Sequence, residues 1–278
     1  MKYAWLTDIH LNFLDFNERM AFYQTIKDAN VDGVFITGDI GESTSVDSFL
    51  IELSSIDIQI YFVLGNHDYY NGSILNTRNT MFYGDEIIYL PHSMAGEMLN
   101  DQVYIVGQDC WADGRNGNYA KSHVILNDSK YIQELADARK IDEIEMFCDN
   151  GSFKLRYRHV LKKMQELADA DAQALENQIN KAIEYNPMKI IILMHVPPFP
   201  ENAYYNGEMS DDNHLPFFSS KVTGDMLMRV CGAHPDIKFE GYCGHSHGAS
   251  VYQPLPNLIV KCGEAQYGKP IIQEIIEI

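Results

Sequence analysis

Short apolar runs alternate with a helix-favouring stretch in the first part of the chain. Residues 3–7, 34–37 and 60–64 read as strands, and residues 17–29 between the first two read as a helix. This punctuation predicts βαβ units. Each strand runs out into polar residues: Asp8 and His10, then Gly38 and Asp39, then Gly65, Asn66 and His67. In sheets of this kind, ligands collect at the carboxyl edges of the strands. The character changes between Cys110 and Tyr185, where long charged sequence carries Leu155, Val160, Leu161, Met164, Leu167, Leu175, Ile179 and Ile183 at approximately helical spacing. We expect a single domain over residues 1–278, with a helical insertion or cap at about 110–186. The apolar side chains of that insertion are read as packing. Strand punctuation resumes at residues 189–195, followed by Pro197 and Pro198, and again at 238–243. Both runs lead into histidine, at His195 and at Gly244-His245-Ser246-His247. The tail, at 249–253, 257–261 and 271–278, reads as further antiparallel strands.

An apolar share of 46% is that of a packed globular chain. The 39 acidic against 21 basic residues give a formal charge of −18, which repels polyanions and disfavours duplex nucleic acid as a partner. Part of that charge can hold cations, and most is solvated surface. The amino terminus has no basic n-region before its first strand, and no apolar run approaches the roughly 18 residues of a membrane span. The five cysteines are scattered, with no CxxC pair, and are read as reduced thiols. A cytoplasmic location is therefore expected; oligomeric state is not readable.

Taken singly, each polar motif has an ordinary structural reading. Asp8-x-His10 leaves a strand end on one side of the chain, offering an oxygen and an imidazole, yet such a pair is also a common turn. Gly38-Asp39 puts a carboxylate on a tight turn, where it bridges cations or caps a loop. Gly65-Asn66-His67-Asp68 is more specific, with three chemically distinct side chains directly after an apolar strand. A lone strand-end histidine such as His195 is usually structural, whereas the His245/His247 pair at a Gly-rich strand exit leans towards metal. Five such signals in order, all at strand termini, are poorly explained by coincidence. Imidazole, carboxylate and amide oxygen together suit two divalent ions drawn from Mn, Fe, Zn, Ni or Co.

Asp8-x-His10, Gly38-Asp39, Gly65-Asn66-His67-Asp68, His195 and Gly244-His245-x-His247 together resemble the signature of the calcineurin-like metallophosphoesterases. The resemblance implies a four-layer α/β/β/α sandwich, here with a helical insertion. It also implies that Asp8, His10 and His247 bind one metal, that Asn66, His195 and His245 bind the other, and that Asp39 bridges them. His67 corresponds to the general acid, with Asp68 orienting it by a hydrogen bond. The implied activity is hydrolysis of a phosphoester by a metal-bridging hydroxide, as a phosphodiesterase or phosphatase acting on a small-molecule or nucleotide substrate. The rival reading is a noncatalytic metal-binding scaffold for partner proteins, which the intact motif set disfavours.

Departures narrow the branch. Leu64-Gly-Asn-His-Asp68 and Gly38-Asp-Ile-Gly-Glu-Ser43 lack the arginines of the protein Ser/Thr phosphatases. Glu42 stands where purple acid phosphatases resemble one another in a Tyr ligand, and His67 stands where lipid A pathway hydrolases carry Arg. What remains is the broad group of cyclic-nucleotide phosphodiesterases, nucleases and small-molecule phosphatases. Tyr69, Tyr70, Asn71, Tyr204, Tyr205 and His214 form either a stacking rim or ordinary loop packing. Arg78, Arg115, Arg156 and Arg158 are either phosphate grips or surface residues. His92, His123, His159, His214 and His234 match no motif.

Overall fold

A computed structural model describes residues 1–81, 84–148 and 157–278. The amino-terminal part contains β1 (Lys2–Leu6), α1 (Phe16–Asp28), β2 (Gly33–Thr37), α2 (Val46–Ser54), β3 (Gln59–Val63), α3 (Ile74–Thr80) and β4 (Ile87–Tyr89), with β1 to β4 parallel in one sheet. Helix α1 begins where Asp15 accepts from the Glu18 amide while the Glu18 side chain accepts from the Asp15 amide, a reciprocal cap that satisfies two otherwise orphaned donors. The three strands and the helix expected in this region are all present, with bounds shifted by a residue or two.

The chain continues through β5 (Glu97–Asn100), β6 (Val103–Gly107), α4 (Asp128–Tyr131), α5 (Gln133–Cys148), α6 (Arg158–Ile183) and β7 (Lys189–Leu193). A two-stranded hairpin, β8 (Tyr204–Tyr205) and β9 (Glu208–Met209), precedes α7 (Leu215–Phe218), α8 (Lys221–Ala233) and β10 (Lys238–Cys243). The last strands are β11 (Ser250–Leu255), β12 (Leu258–Cys262) and β13 (Glu274–Glu277). The second sheet runs β11-β12-β10-β7-β6-β5 and the first β13-β1-β2-β3-β4. The tail is antiparallel where expected, at β11–β12 and β13–β1, but β12 also pairs in parallel with β10.

Alternation of side chains along each strand explains the layering. Tyr3, Trp5 and Phe35 of the first sheet meet Ile105, Ile191, Leu193 and Tyr242 of the second in one buried cluster, with the Trp5 and Tyr242 rings 4.9 Å apart. The opposite face of the first sheet, with Leu6, Ile36 and Phe62, packs on Phe22, Tyr23 and Ile26 of α1 and on Phe49, Leu50 and Leu53 of α2. The opposite face of the second, with Val106, Ile190 and Ile192, packs on Leu175 and Ile179 of α6 and on Leu227 and Val230 of α8. The architecture is therefore α/β/β/α. Strands covered on both faces are continuously apolar, as Lys189-Ile-Ile-Ile-Leu193 shows.

Helix α6 ties the middle of the chain to this body. Val160, Met164 and Ala168 join the cluster of the first sheet, and Leu175, Ile179 and Ala182 join that of the second. Val160, Met164, Leu175 and Ile179 thus pack along the expected stripe; Leu155 lies outside the described residues. Buried Asp171 of α6 takes a bidentate pair from Arg78 of α3, at 2.8 and 2.7 Å. Among the described residues no helix is long and apolar enough to cross a membrane, and Cys110, Cys231, Cys243 and Cys262 are free, buried thiols. Asp171→Ala should strip a charge-assisted pair from Arg78 and cost about 1.5–3 kcal/mol, read from the midpoint of chemical denaturation.

Candidate metal centre

Five strand termini converge at one end of the sandwich. Strands β1, β2 and β3 deliver Asp8 with His10, Asp39, and Asn66 with His67, while β7 and β10 of the facing sheet deliver His195 and the His245/His247 pair. The chain turns sharply at these edges. Asp8, His10, Asp39, His245 and His247 all have left-handed backbone, with φ of 47°, 40°, 53°, 69° and 60°. Non-glycine residues held there cost of order 1–3 kcal/mol each and cluster where function demands them. Main-chain bonds fix the turns: the Asp8 amide donates to Gly38 O at 3.1 Å, that of His10 to Asp39 O at 2.9 Å, and that of Gly244 to His195 O at 2.9 Å. Gly65 is required by closeness, since a Cβ there would collide with the Asp39 carboxylate and the His195 ring.

All seven candidate ligands are brought together, in two groups. Asp8, His10, Asp39 and His247 each offer a ligating atom within 4.8 Å of the others. His247 Nε2 lies 3.3 Å from Asp8 Oδ1, and His10 Nε2 lies 3.7 Å from Asp39 Oδ2. Both ring nitrogens of His10 are buried with no hydrogen-bond partner. In the second group, Asn66 Oδ1 sits 3.1 Å from His195 Nε2 and 2.9 Å from His245 Nδ1, and those two nitrogens are 3.2 Å apart. Asp39 lies between the groups, with Oδ1 3.4 Å from His195 Nε2 and Oδ2 towards His10.

The surroundings fix the protons of the second group. His195 Nδ1 donates to Thr37 O at 2.8 Å, and His245 Nε2 donates to Phe217 O at 2.8 Å, because a carbonyl only accepts. Each ring, when neutral, therefore turns a lone pair inward. Burial lowers the proton affinity of His10, His195 and His245, the last to about 4, keeping them in the metal-ligating form. Asn66 Nδ2 donates to Asp128 Oδ1 at 2.9 Å, so its carbonyl oxygen must face the two imidazoles. Three acceptors thus point at one another within 3.2 Å. A cation is what such a set fits. Burial, and then the neighbouring Asp8, raise the Asp39 carboxyl well above its ordinary range, so positive charge is wanted there too.

His67 lies beside the ligands, its ring stacked on Tyr70 at 4.2 Å and 4.8 Å from that of His10. The expected bond from Asp68 to this imidazole is not formed. Asp68 Oδ1 instead accepts from the Ile40 and Gly41 amides at 2.8 and 2.9 Å, and Oδ2 from the Gly65 amide at 2.8 Å. Short loop geometry makes the amides its nearest donors, and Asp68 knots the β2 and β3 exits together. Of the four arginines, Arg78 is committed to Asp171 and Asp109, and Arg115, an exposed residue, to Asp113 and Asp169. Arg158 has interactions of its own, and Arg156 lies outside the described residues. Tyr69 is core, donating to Asp109, whereas half-exposed Tyr205 and His214 lie against Phe218, which packs on His245.

The sequence reading missed three contributors. Thr7 donates to Asp8 Oδ2 at 2.6 Å, Asp128 orients Asn66, and the Tyr267 ring lies 4.5 Å from that of His10 and 5.2 Å from that of His247. Tyr267 follows the end of β12, so the strand-edge rule that selected the candidate ligands would have reached it. Asp128 carries no such signal, being brought to the site by tertiary packing alone.

The sandwich and its strand-edge cluster of carboxylates, imidazoles and one amide define a metallophosphoesterase architecture. The profile of the calcineurin-like phosphoesterases matches residues 1–248, and the chain belongs to that family. Membership implies divalent metal ions and metal-dependent phosphoester hydrolysis. The chain is 25% identical over 264 residues to an uncharacterised protein of Acanthamoeba polyphaga mimivirus, covering 89% of this chain and 85% of that one. Its fold is similar to the crystal structure of a dimetal phosphatase from Danio rerio, with a TM-score of 0.56, 14% identity, and coverage of 95% of this chain and 87% of that one.

The Asp68 contacts make a prediction. Asp68→Asn retains one acceptor oxygen and sets an amide group against backbone donors, so the metal-free protein should lose about 1–3 kcal/mol of stability in denaturant titration. Unchanged stability would contradict the loop-knotting role.

Proposed function

We propose that the two groups hold two divalent cations, one on Asp8, His10 and His247 and one on Asn66, His195 and His245, with Asp39 shared, and that the site hydrolyses a small-molecule or nucleotide phosphoester. The observation that carries this reading is the convergence of Asn66 Oδ1, His195 Nε2 and His245 Nδ1 as acceptors without a proton among them. The orphaned nitrogens of His10 support the same fit in the other group. When bound, the cations supply activation of water and neutralisation of phosphoryl charge.

The chain's own residues do the rest. Asp39 holds the two groups in register, with its Oδ1 anchored by the His67 amide at 2.9 Å. Thr7 and the His245 amide, the latter at 3.1 Å from each oxygen, orient Asp8. In this reading His67, whose ring lies 4.8 Å from that of His10, donates a proton to the leaving oxygen. Burial lowers its pKa to about 4, so it is neutral at rest and takes up a proton when the anionic phosphoryl group lies beside it. Tyr70 holds the His67 ring by stacking and is itself fixed by donation to Asp128 at 2.7 Å.

Metal analysis paired with hydrolysis of a bis-aryl and a mono-aryl phosphate tests the assignment. Two bound metals with turnover are expected, and the ratio of rates separates diesterase from monoesterase; two metals with turnover of neither ester would favour a scaffold. His10→Ala should reduce metal content. His67→Ala should keep both metals yet lose about 10²–10⁴-fold in turnover of alkyl esters, whose leaving oxygen needs the proton; an unchanged alkyl-ester rate would remove His67 from that role.

A further inference from the structure

Around the first metal group, exposure rises in a definite direction. Asp8, His10 and Asp39 are buried, His67 and His247 are part-exposed, and Tyr267 and Phe13 are about half exposed, at 47% and 53%. The group therefore meets solvent on the side of these two rings. The local chain holds both in place. Phe13 ends the single 3₁₀ turn that leaves His10, and its ring stands 6.0 Å from the His10 imidazole. Tyr267 lies in a tight turn closed by the Lys269 amide on Gln266 O at 3.0 Å, with Gly268 left-handed at φ 73°. The Ala265 amide ties the same loop to His247 O at 3.3 Å. The two rings pack on each other at 4.9 Å, and that of Tyr267 lies 4.5 Å from His10, 5.2 Å from His247 and 6.2 Å from His67.

A single exposed aromatic side chain is ordinary on a protein surface. Here two touch each other, and one of them also reaches two candidate ligands and the candidate proton donor. Among the described residues the other rings beside His67, those of Tyr70 and His10, are buried, so Tyr267 is the exposed one. Resting on the proposed phosphoesterase reading, we infer that Phe13 and Tyr267 form a ledge that receives the leaving group of the substrate and selects a flat aromatic one. A leaving oxygen that takes its proton from His67 carries its substituent out past Tyr267. Ring faces attract other rings in offset-stacked or edge-on contact, beyond what burial of area alone contributes. The substrate class is then an aryl or heteroaryl phosphoester, its ring close to the phosphoryl group, in preference to alkyl and sugar phosphates.

Phosphonates test this without turnover, a methylene standing for the ester oxygen. Binding of methylphosphonate, cyclohexylmethylphosphonate and benzylphosphonate is measured by calorimetry on the Mn²⁺-reconstituted protein, with metal content assayed for each variant. Benzylphosphonate should bind about tenfold tighter than methylphosphonate, the yield of stacking one ring on an aromatic side chain. It should also bind about two- to tenfold tighter than the cyclohexyl compound, which matches it in size but has no π face. Tyr267→Phe retains the ring and should retain the benzyl preference over cyclohexyl. Tyr267→Leu and Phe13→Leu should each reduce that preference, and the double variant should bring it towards one. Equal binding of the benzyl and cyclohexyl compounds by the unaltered protein, or a preference that survives both leucine changes with metal still bound, would overturn the inference while leaving the metal centre standing. Loss of metal from both single leucine variants would assign the rings to packing of the ligands and overturn it too. Failure of methylphosphonate and inorganic phosphate alike to bind would reject the phosphoesterase reading, and this inference with it.

Discussion

Asn66 Oδ1, His195 Nε2 and His245 Nδ1 face one another at 2.9–3.2 Å, each with its hydrogen-bearing partner atom committed elsewhere. Acceptors so placed repel, and burial removes the water that would relieve them. Much of the surrounding structure maintains this arrangement. Thr37 and Phe217 carbonyls hold the two imidazoles in opposite tautomers, and Asp128 prevents the Asn66 amide from flipping its NH₂ inward. A free chain would rotate any one of these groups away. The fold resists that rotation because each group is pinned by a different element.

The sandwich makes such convergence possible. Parallel strands in both sheets end at the same edge, so residues distant in sequence arrive within one cluster, while the aromatic interlayer around Trp5, Phe35 and Tyr242 fixes how far apart the edges stand. Left-handed turns at Asp8, His10, Asp39, His245 and His247 then bend the side chains over the edge. That strain is tolerable because the strands behind it are buried on both faces, as in Gly33-Val-Phe-Ile-Thr37. Asp68 contributes in the same way: its carboxylate gathers three loop amides and keeps the β2 and β3 exits side by side.

The legibility of the chain follows from this division. Strand runs and the polar residues ending them are local features, so the candidate ligand positions and the sheet edges could be read from residue order. The helical stripe of α6 was readable for the same reason, since Val160, Met164, Leu175 and Ile179 keep a helical period. What could not be read depends on contacts between distant segments. Nothing in the residues around Asp68 shows that backbone amides outcompete the His67 ring. Nothing near Arg78 shows that its guanidinium meets Asp171, 93 residues later. Asp128 and Tyr267 are ordinary residues until packing sets one beside Asn66 and the other over His10.

Asp128 also shows that the segment between β6 and β7 is not an appendage to the centre. Its carboxylate, in the first turn of α4, accepts from both Asn66 and Tyr70, so one side chain fixes a candidate ligand and the ring that stacks on His67. The same segment supplies Leu126, Met164 and Trp111 to a cavity that Asn66 also lines. The strand edges set which atoms meet at the centre; the chain between β6 and β7 sets how Asn66 and His67 are held and what lies next to them. The convergence of the candidate ligands and the pinning of their orientation are therefore carried by different parts of one fold, joined through the Asn66 amide.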